Sequence, residues 1–234
     1  IFACEPEWKA LAKEIGKDKV EASSATTAFQ NPHYIRAKPS LIAKMRNADL
    51  VFCSGADLEV GWLPVLLRKS GSENVQPGNK GHLMAADYVE TMEVPVHLDR
   101  SKGHIHPQGN PHVHLSPYNL IKIGQELSDR LAKIDPENAD FYSQSFADFK
   151  SDWQGYIKGW EQKAENLKGL KVVIHHGSFS YFNDWLDINA VADLEPKPGL
   201  PPTISHLEEI LKTIKAEKPK AVILKPFDKK DGAK

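Results

Sequence analysis

The chain reads as an α/β protein of two lobes, each a parallel sheet flanked by helices, joined by one long rigid helix. Strand-like and helical segments alternate through the first half, a long periodic stretch without proline follows, and the alternation then restarts. The expected division is 1–134 for the N-terminal lobe, 135–167 for the linking helix and 168–234 for the C-terminal lobe. Only KPFDKKDGAK follows the last strand-like run, so the chain is expected to continue beyond Lys234.

The elements follow in order. IFAC opens as a strand, EPEWKALAKEIG is helical, KVEASSAT is strand-like, PSLIAKMRNA is helical, DLVFCSG is a strand, ADLEVGWLPVLLRKSG is helical and VETMEVPVHL is again strand-like. Pro117 opens a helix that runs to about Ile134. Asp135-Pro136-Glu137 opens a second, which runs to about Leu167 and spans roughly 45 Å. Along it Phe141, Phe146, Phe149, Trp153, Tyr156 and Trp160 recur at helical spacing, so the aromatics are expected to pack rather than stack on a cofactor. KVVIHH is then a strand, a helix starts after Gly177, NAVADL is a strand, Ile204 to Glu217 is a helix and AVIL is the last strand.

Composition excludes several classes of function. Lys+Arg number 30 and Asp+Glu 31, with no long basic block, which argues against nucleic acid or an anionic membrane as partner. No apolar run approaches the eighteen or so residues of a membrane span, and any signal peptide is expected to be already absent. Cys4 and Cys53 each end a strand-like run and could lie side by side at one sheet edge. They read either as a disulfide, in an oxidising compartment, or as two buried thiols.

The densest chemistry is GHIHPQGNPHVHLSP, Gly103 to Pro117, which carries His104, His106, His112 and His114. Neutral imidazole is the commonest zinc ligand and also suits copper, iron and nickel, so the stretch points to a transition metal. Three histidines stand where open α/β sheets place ligands, at strand ends or just before helices: His33 after Asn31-Pro32, His112 after Asn110-Pro111, and His176 at the end of KVVIHH, before Gly177-Ser178-Phe179. Being so far apart in sequence, they could converge only in a cleft between the lobes.

NPHYIRAKPSLIAKMRNADLVFCSGADLEVGWL (Asn31 to Leu63), GNPHVHLSP (Gly109 to Pro117) and HHGSFSYF (His175 to Phe182) together resemble the signature histidine segments of the zinc receptors of bacterial ABC importers, the ZnuA-like or TroA-like substrate-binding proteins. The resemblance covers nearly the whole chain. It implies a TroA-like two-lobe fold and His33, His112 and His176 as metal ligands, with a histidine at the third position resembling the zinc branch. It further implies a monomeric periplasmic or extracytoplasmic receptor that passes Zn2+ to a membrane permease. The family's late aspartate ligand has no counterpart before Lys234, and Glu195, Asp228 and Asp231 are carboxylates that no motif assigns.

Three imidazoles plus one oxygen suit tetrahedral zinc. A ligand histidine needs a partner on its other ring nitrogen, and Glu59, Asp57 or His114 could serve. His104 and His106 read either as an accessory metal-gathering loop or as solvated loop residues, while His82, His97 and His206 read as structural or solvated. A manganese or other divalent-metal receptor of the same family is the alternative. A zinc-dependent hydrolase is weaker still, because no HExxH, GxSxG, P-loop or GxGxxG is present, so the chain is read as a receptor and not an enzyme.

Overall fold

The computed structural model describes residues 1–96, 106–197, 199–228, 230 and 233. Two all-parallel sheets are present. The first has the order β2-β1-β3-β4, built from β1 (Phe2–Ala3), β2 (Ser23–Ser24), β3 (Val51–Cys53) and β4 (His82–Met84). The second has the order β6-β5-β7, built from β5 (Lys171–Ile174), β6 (Asn189–Asp193) and β7 (Ala221–Ile223). Among the described residues no helix is long and apolar enough to cross a membrane.

Helices cover both faces of the first sheet. Trp8, Leu11 and Ile15 of α1 (Pro6–Gly16) and Ile123, Leu127 and Leu131 of α4 (Pro117–Ile134) bury against Ala3, Phe52 and Leu83 on one face. On the other, Leu41 and Met45 of α2 (Pro39–Arg46) and Leu63, Leu66 and Leu67 of α3 (Leu63–Ser70) bury against Phe2, Val51 and Cys53. Strands covered on both sides are apolar on both sides, which is why IFAC and LVFC read as unbroken hydrophobic runs. Cys4 and Cys53 follow β1 and end β3, and they form a disulfide.

The linking helix α5 (Ala139–Ala164) is flanked by the helical turns Pro136–Asn138 and Glu165–Leu167. Tyr142, Phe146 and Phe149 enter the first core, and Ala164 and Leu167 pack against the core of the second sheet. Trp153 stacks on Phe149 at 5.4 Å and meets Trp160 edge-on, and Trp160 in turn meets Trp185 edge-on at 6.2 Å. The aromatic stripe is packing, and it runs from one lobe to the other. The second sheet is backed by α6 (Ser180–Leu186) and α7 (Ile204–Glu217).

Two local expectations are corrected. The fourth strand of the first sheet is His82–Met84, whereas residues 89–96 of VETMEVPVHL form no strand. The amide of Met92 goes to the Tyr181 hydroxyl and its carbonyl to the Asn110 amide, so this segment bonds across to other loops instead of to a neighbouring strand. Helix α3 starts at Leu63 and not at Ala56, because Ala56 and Asp57 hold left-handed φ values of 47° and 63°.

Candidate metal centre

The two NPH triplets build the same local device. Asn31 Oδ1 accepts from the His33 amide at 3.0 Å, and Asn110 Oδ1 accepts from the His112 amide at 3.0 Å. Each asparagine closes a turn through its side chain while the intervening proline presets φ, so the histidine is aimed by its own neighbours. Trp62 Nε1 donates to the Pro32 carbonyl at 2.8 Å and pins the first turn to the start of α3. Asn110 Nδ2 donates to the Gly177 carbonyl at 2.7 Å and to Glu93 Oε2 at 3.0 Å, which ties the second turn to the loop carrying His176. Tyr181 donates to the Asn110 carbonyl at 2.7 Å and Ser180 Oγ to Glu93 Oε1 at 2.6 Å, reinforcing the same junction.

His33, His112 and His176 meet: one nitrogen from each lies within 4.8 Å of the others. Their ring centroids are 6.0, 5.9 and 5.7 Å apart, and the planes cross at 68°, 80° and 89°. Three steeply crossed imidazoles whose nitrogens converge can share one small cation. His112 and His176 are buried, and His112 Nε2 has no hydrogen-bond partner among the described residues. Burial pushes the His112 pKa well below the usual imidazole value, and the charges of Lys225, His114, His176 and His33 push it the same way. Its lone pair is therefore free of a proton at neutral pH.

Among the described residues, Glu195 is a carboxylate that serves an imidazole of this trio. Its Oε2 lies 2.6 Å from His176 Nδ1 and also accepts from the Gly199 amide at 2.9 Å. Burial works to raise the Glu195 pKa, but the His176 and Gly199 bonds hold it below the ordinary carboxylate value. An ionised partner fixes the proton on Nδ1 and leaves Nε2 as the donor nitrogen.

The other sequence candidates separate. Glu59 is not such a partner: its two oxygens accept from the amides of Ser54 at 2.8 Å and Gly55 at 3.1 Å, and Asp57 is exposed. Burial raises Glu59 to about 7 despite those bonds. His114 stands 3.5 Å from Glu7 through Nδ1, edge-on to Trp8, with its ring 6.1 Å from that of His112. His106 places its ring 5.4 Å from His33, outside the converging trio, while His104 and His97 lie outside the described residues. His82 and His206 are structural, bonded to the carbonyls of Val75 and Asp193. Asp228 accepts from the Lys225 amide at 2.7 Å, and Asp231 lies outside the described residues.

Two residues near the centre carried no sequence signal. Glu93 holds a left-handed φ of 58° while both its oxygens bridge Asn110 and Ser180. Lys225, just beyond β7, reaches back to donate to Ser178 Oγ at 2.7 Å, and burial lowers its pKa despite the nearby carboxylates.

The sequence profile of the family described as zinc-uptake complex component A, periplasmic (ZnuA), matches residues 1–233. A manganese ABC transporter substrate-binding lipoprotein, PsaA of Streptococcus pneumoniae, is 28% identical over 178 residues, 74% of this chain and 54% of its own. The iron ABC transporter substrate-binding lipoprotein MtsA of Streptococcus pyogenes serotype M1 is 26% identical over 215 residues, 88% of this chain and 66% of its own. The chain thus spans between about half and two thirds of the length of these curated relatives. A crystal structure of ZnuA superposes with a TM-score of 0.83 at 22% identity, covering 99% of this chain and 84% of the other. The Mn-bound periplasmic metal binding protein from Candidatus Liberibacter asiaticus gives 0.78 at 19% identity, covering 99% and 81%. These likenesses establish the two-lobe fold.

Proposed function

The chain belongs to the family of periplasmic zinc-uptake component A proteins, and from that premise we propose that it is an extracytoplasmic receptor that captures Zn2+ between its lobes and delivers it to an ABC transporter permease. His33, His112 and His176 are the proposed ligands. The observation that carries the reading is the convergence of these three nitrogens within 4.8 Å at the junction of the two lobes. In this reading 1–134 and 168–234 are the lobes, and 135–167 is the brace between them. Members of the family are substrate-binding receptors and not enzymes.

Zinc is favoured over manganese by the donor set. Three neutral imidazoles suit a borderline-soft ion that accepts four ligands, whereas manganese prefers oxygen-rich sites of higher coordination. The relatives named for manganese and iron make the other divalent ions the competing reading. The experiment is a calorimetric titration of metal-free protein with Zn2+ and with Mn2+, run beside His176→Ala. Zinc should bind one per chain and displace manganese, and the variant should lose affinity by orders of magnitude with its circular dichroism unchanged. Equal zinc affinity in His176→Ala removes the site assignment, and a preference for Mn2+ removes the zinc reading.

A further inference from the structure

The segment Thr91-Met92-Glu93 lies as a strap against the turn that leads to His112. Thr91 Oγ1 donates to the Gln108 carbonyl at 2.6 Å, and the Asn110 amide donates to the Met92 carbonyl at 2.7 Å. Gly109 meets the strap with a φ of 94°, and a Cβ there would stand 2.7 Å from the Met92 oxygen and from Thr91 Oγ1, so glycine is what admits this close approach. From the other lobe, the start of α6 grips the same strap. Tyr181 is buried among the residues of the first core, where its hydroxyl accepts from the Met92 amide at 2.9 Å and donates to the Asn110 carbonyl at 2.7 Å. Glu93 closes the contact: its Oε2 accepts from Asn110 Nδ2 at 3.0 Å and its Oε1 from Ser180 Oγ at 2.6 Å. The Glu93 backbone stands at a φ of 58°, a left-handed conformation that a glutamate rarely adopts and that persists where its surroundings determine it.

None of these bonds uses an imidazole nitrogen, so the contact closes without help from a metal. It joins the His112 turn, through Asn110, to Ser180 and Tyr181, which follow His176 closely in the chain. A site whose ligands come from two bodies loses affinity to the freedom of those bodies unless something fixes them in advance. We propose that Glu93 is a positioning residue of the metal centre: its carboxylate clasps the His176 loop to the His112 turn, and the metal leaves when that clasp opens. Because Glu93 is not itself a ligand in this account, it lengthens the residence of the metal more than it speeds capture. The inference rests on the receptor reading above. Glu93 is exposed, so trimming its side chain leaves the core of the first lobe untouched.

The test is zinc release from the full chain, timed by stopped flow into an excess of a chelating dye. Glu93→Ala should release zinc about tenfold faster than wild type, with an association rate within about twofold. Ser180→Ala breaks the same bond from the other lobe and should act in the same direction, and the double variant should release no faster than Glu93→Ala. Glu93→Gln should keep the slow release, because its amide nitrogen can donate to Ser180 Oγ while its oxygen accepts from Asn110. With Co2+ bound, Glu93→Ala should show the visible spectrum of the wild type. Release at the wild-type rate from Glu93→Ala, or from Ser180→Ala should the first variant not fold, overturns the proposal. So does a double variant whose acceleration is the product of the two singles. Release from Glu93→Gln as fast as from Glu93→Ala also overturns it, since the charge and not the clasp would then act on the metal, and an altered Co2+ spectrum would make Glu93 a ligand instead. Failure of the receptor reading looks different: the wild type then takes up no zinc, or His176→Ala holds it as long.

Discussion

At the residue scale the centre depends on groups that keep imidazoles neutral and aimed. Glu195 is the clearest, since its bond to His176 Nδ1 leaves Nε2 as the donor nitrogen. Replacing it with glutamine removes the charge that fixes the tautomer, and zinc affinity should fall by about ten- to a hundredfold in competition with a chelating dye. An unchanged affinity would reduce Glu195 to a strut for the Gly199 loop. The three histidines were legible because each follows a strand or an NP pair, and the repeated NPH triplet is a local device written in adjacent residues. Glu195 was not legible as their partner, since only the path of the chain after β6 brings it to His176. Glu59 misled because a carboxylate near a ligand loop was expected to face it. Its short-range geometry instead places both oxygens on the amides of Ser54 and Gly55.

Glu5 and Glu59 also set a pH dependence. Burial, and then the charge of Glu59, raises the Glu5 pKa well above 4.5, so the folded chain keeps a proton that the unfolded chain has released. A raised carboxyl pKa stabilises the fold in acid, and that contribution is lost as pH climbs through the folded value. For Glu59 the loss runs from 4.5 to about 7. Glu5→Gln mimics the protonated carboxyl and removes the repulsion. Its urea midpoint relative to wild type should therefore rise as pH climbs from about 5 through the range in which Glu59 titrates, about 7. Parallel midpoints across that range would show that the pair does not carry an extra proton.

At the element scale, one substitution on two helices separates packing from propensity. Gly124 of α4 sits where a Cβ would meet Ile15 Cδ1 and Phe146 Cε2 at 3.3 Å and Phe149 Cε1 at 3.4 Å, so α1, α4 and α5 close on it. At Gly155 of α5 a Cβ would meet nothing within 4 Å. Gly155→Ala should stabilise by about 0.5–1 kcal/mol through the backbone alone. Gly124→Ala gains the same term and gives it back in forced repacking, so it should fall below Gly155→Ala by about 1 kcal/mol or more in thermal or urea unfolding. Equal gains would mean that the three-helix contact is loose. Periodicity located these helices well, and Ile204–Glu217 matches its expected span. Strand β4 escaped because three residues, HLM, sit among turn formers and carry too few positions for any period to show.

At the scale of the whole molecule, the two lobes are unequal. Among the described residues, nineteen buried ones make the main core around the first sheet, whereas the clusters around the second sheet hold four and three. Helix α7 contributes Ile210 as its buried residue, while Ile204 and Leu211 are exposed. The second lobe should therefore open locally before the first unfolds. His176 lies two residues after the end of β5, the central strand of that lobe, so any opening that frees β5 also destroys the proposed site. A metal bound across the junction must then stabilise β5 by RT ln(1 + [L]/Kd), which is about 2.7 kcal/mol at a hundredfold excess over Kd. Native-state hydrogen exchange reads this directly. With zinc, the amides of Val173 and Ile174 should slow by about a hundredfold, while those near the end of α7, which can fray without moving His176, should not respond. His33→Ala, whose change lies in the other lobe, should abolish the protection of β5. If zinc slows β5 equally in that variant, the metal is held by the second lobe alone and the interlobe site falls.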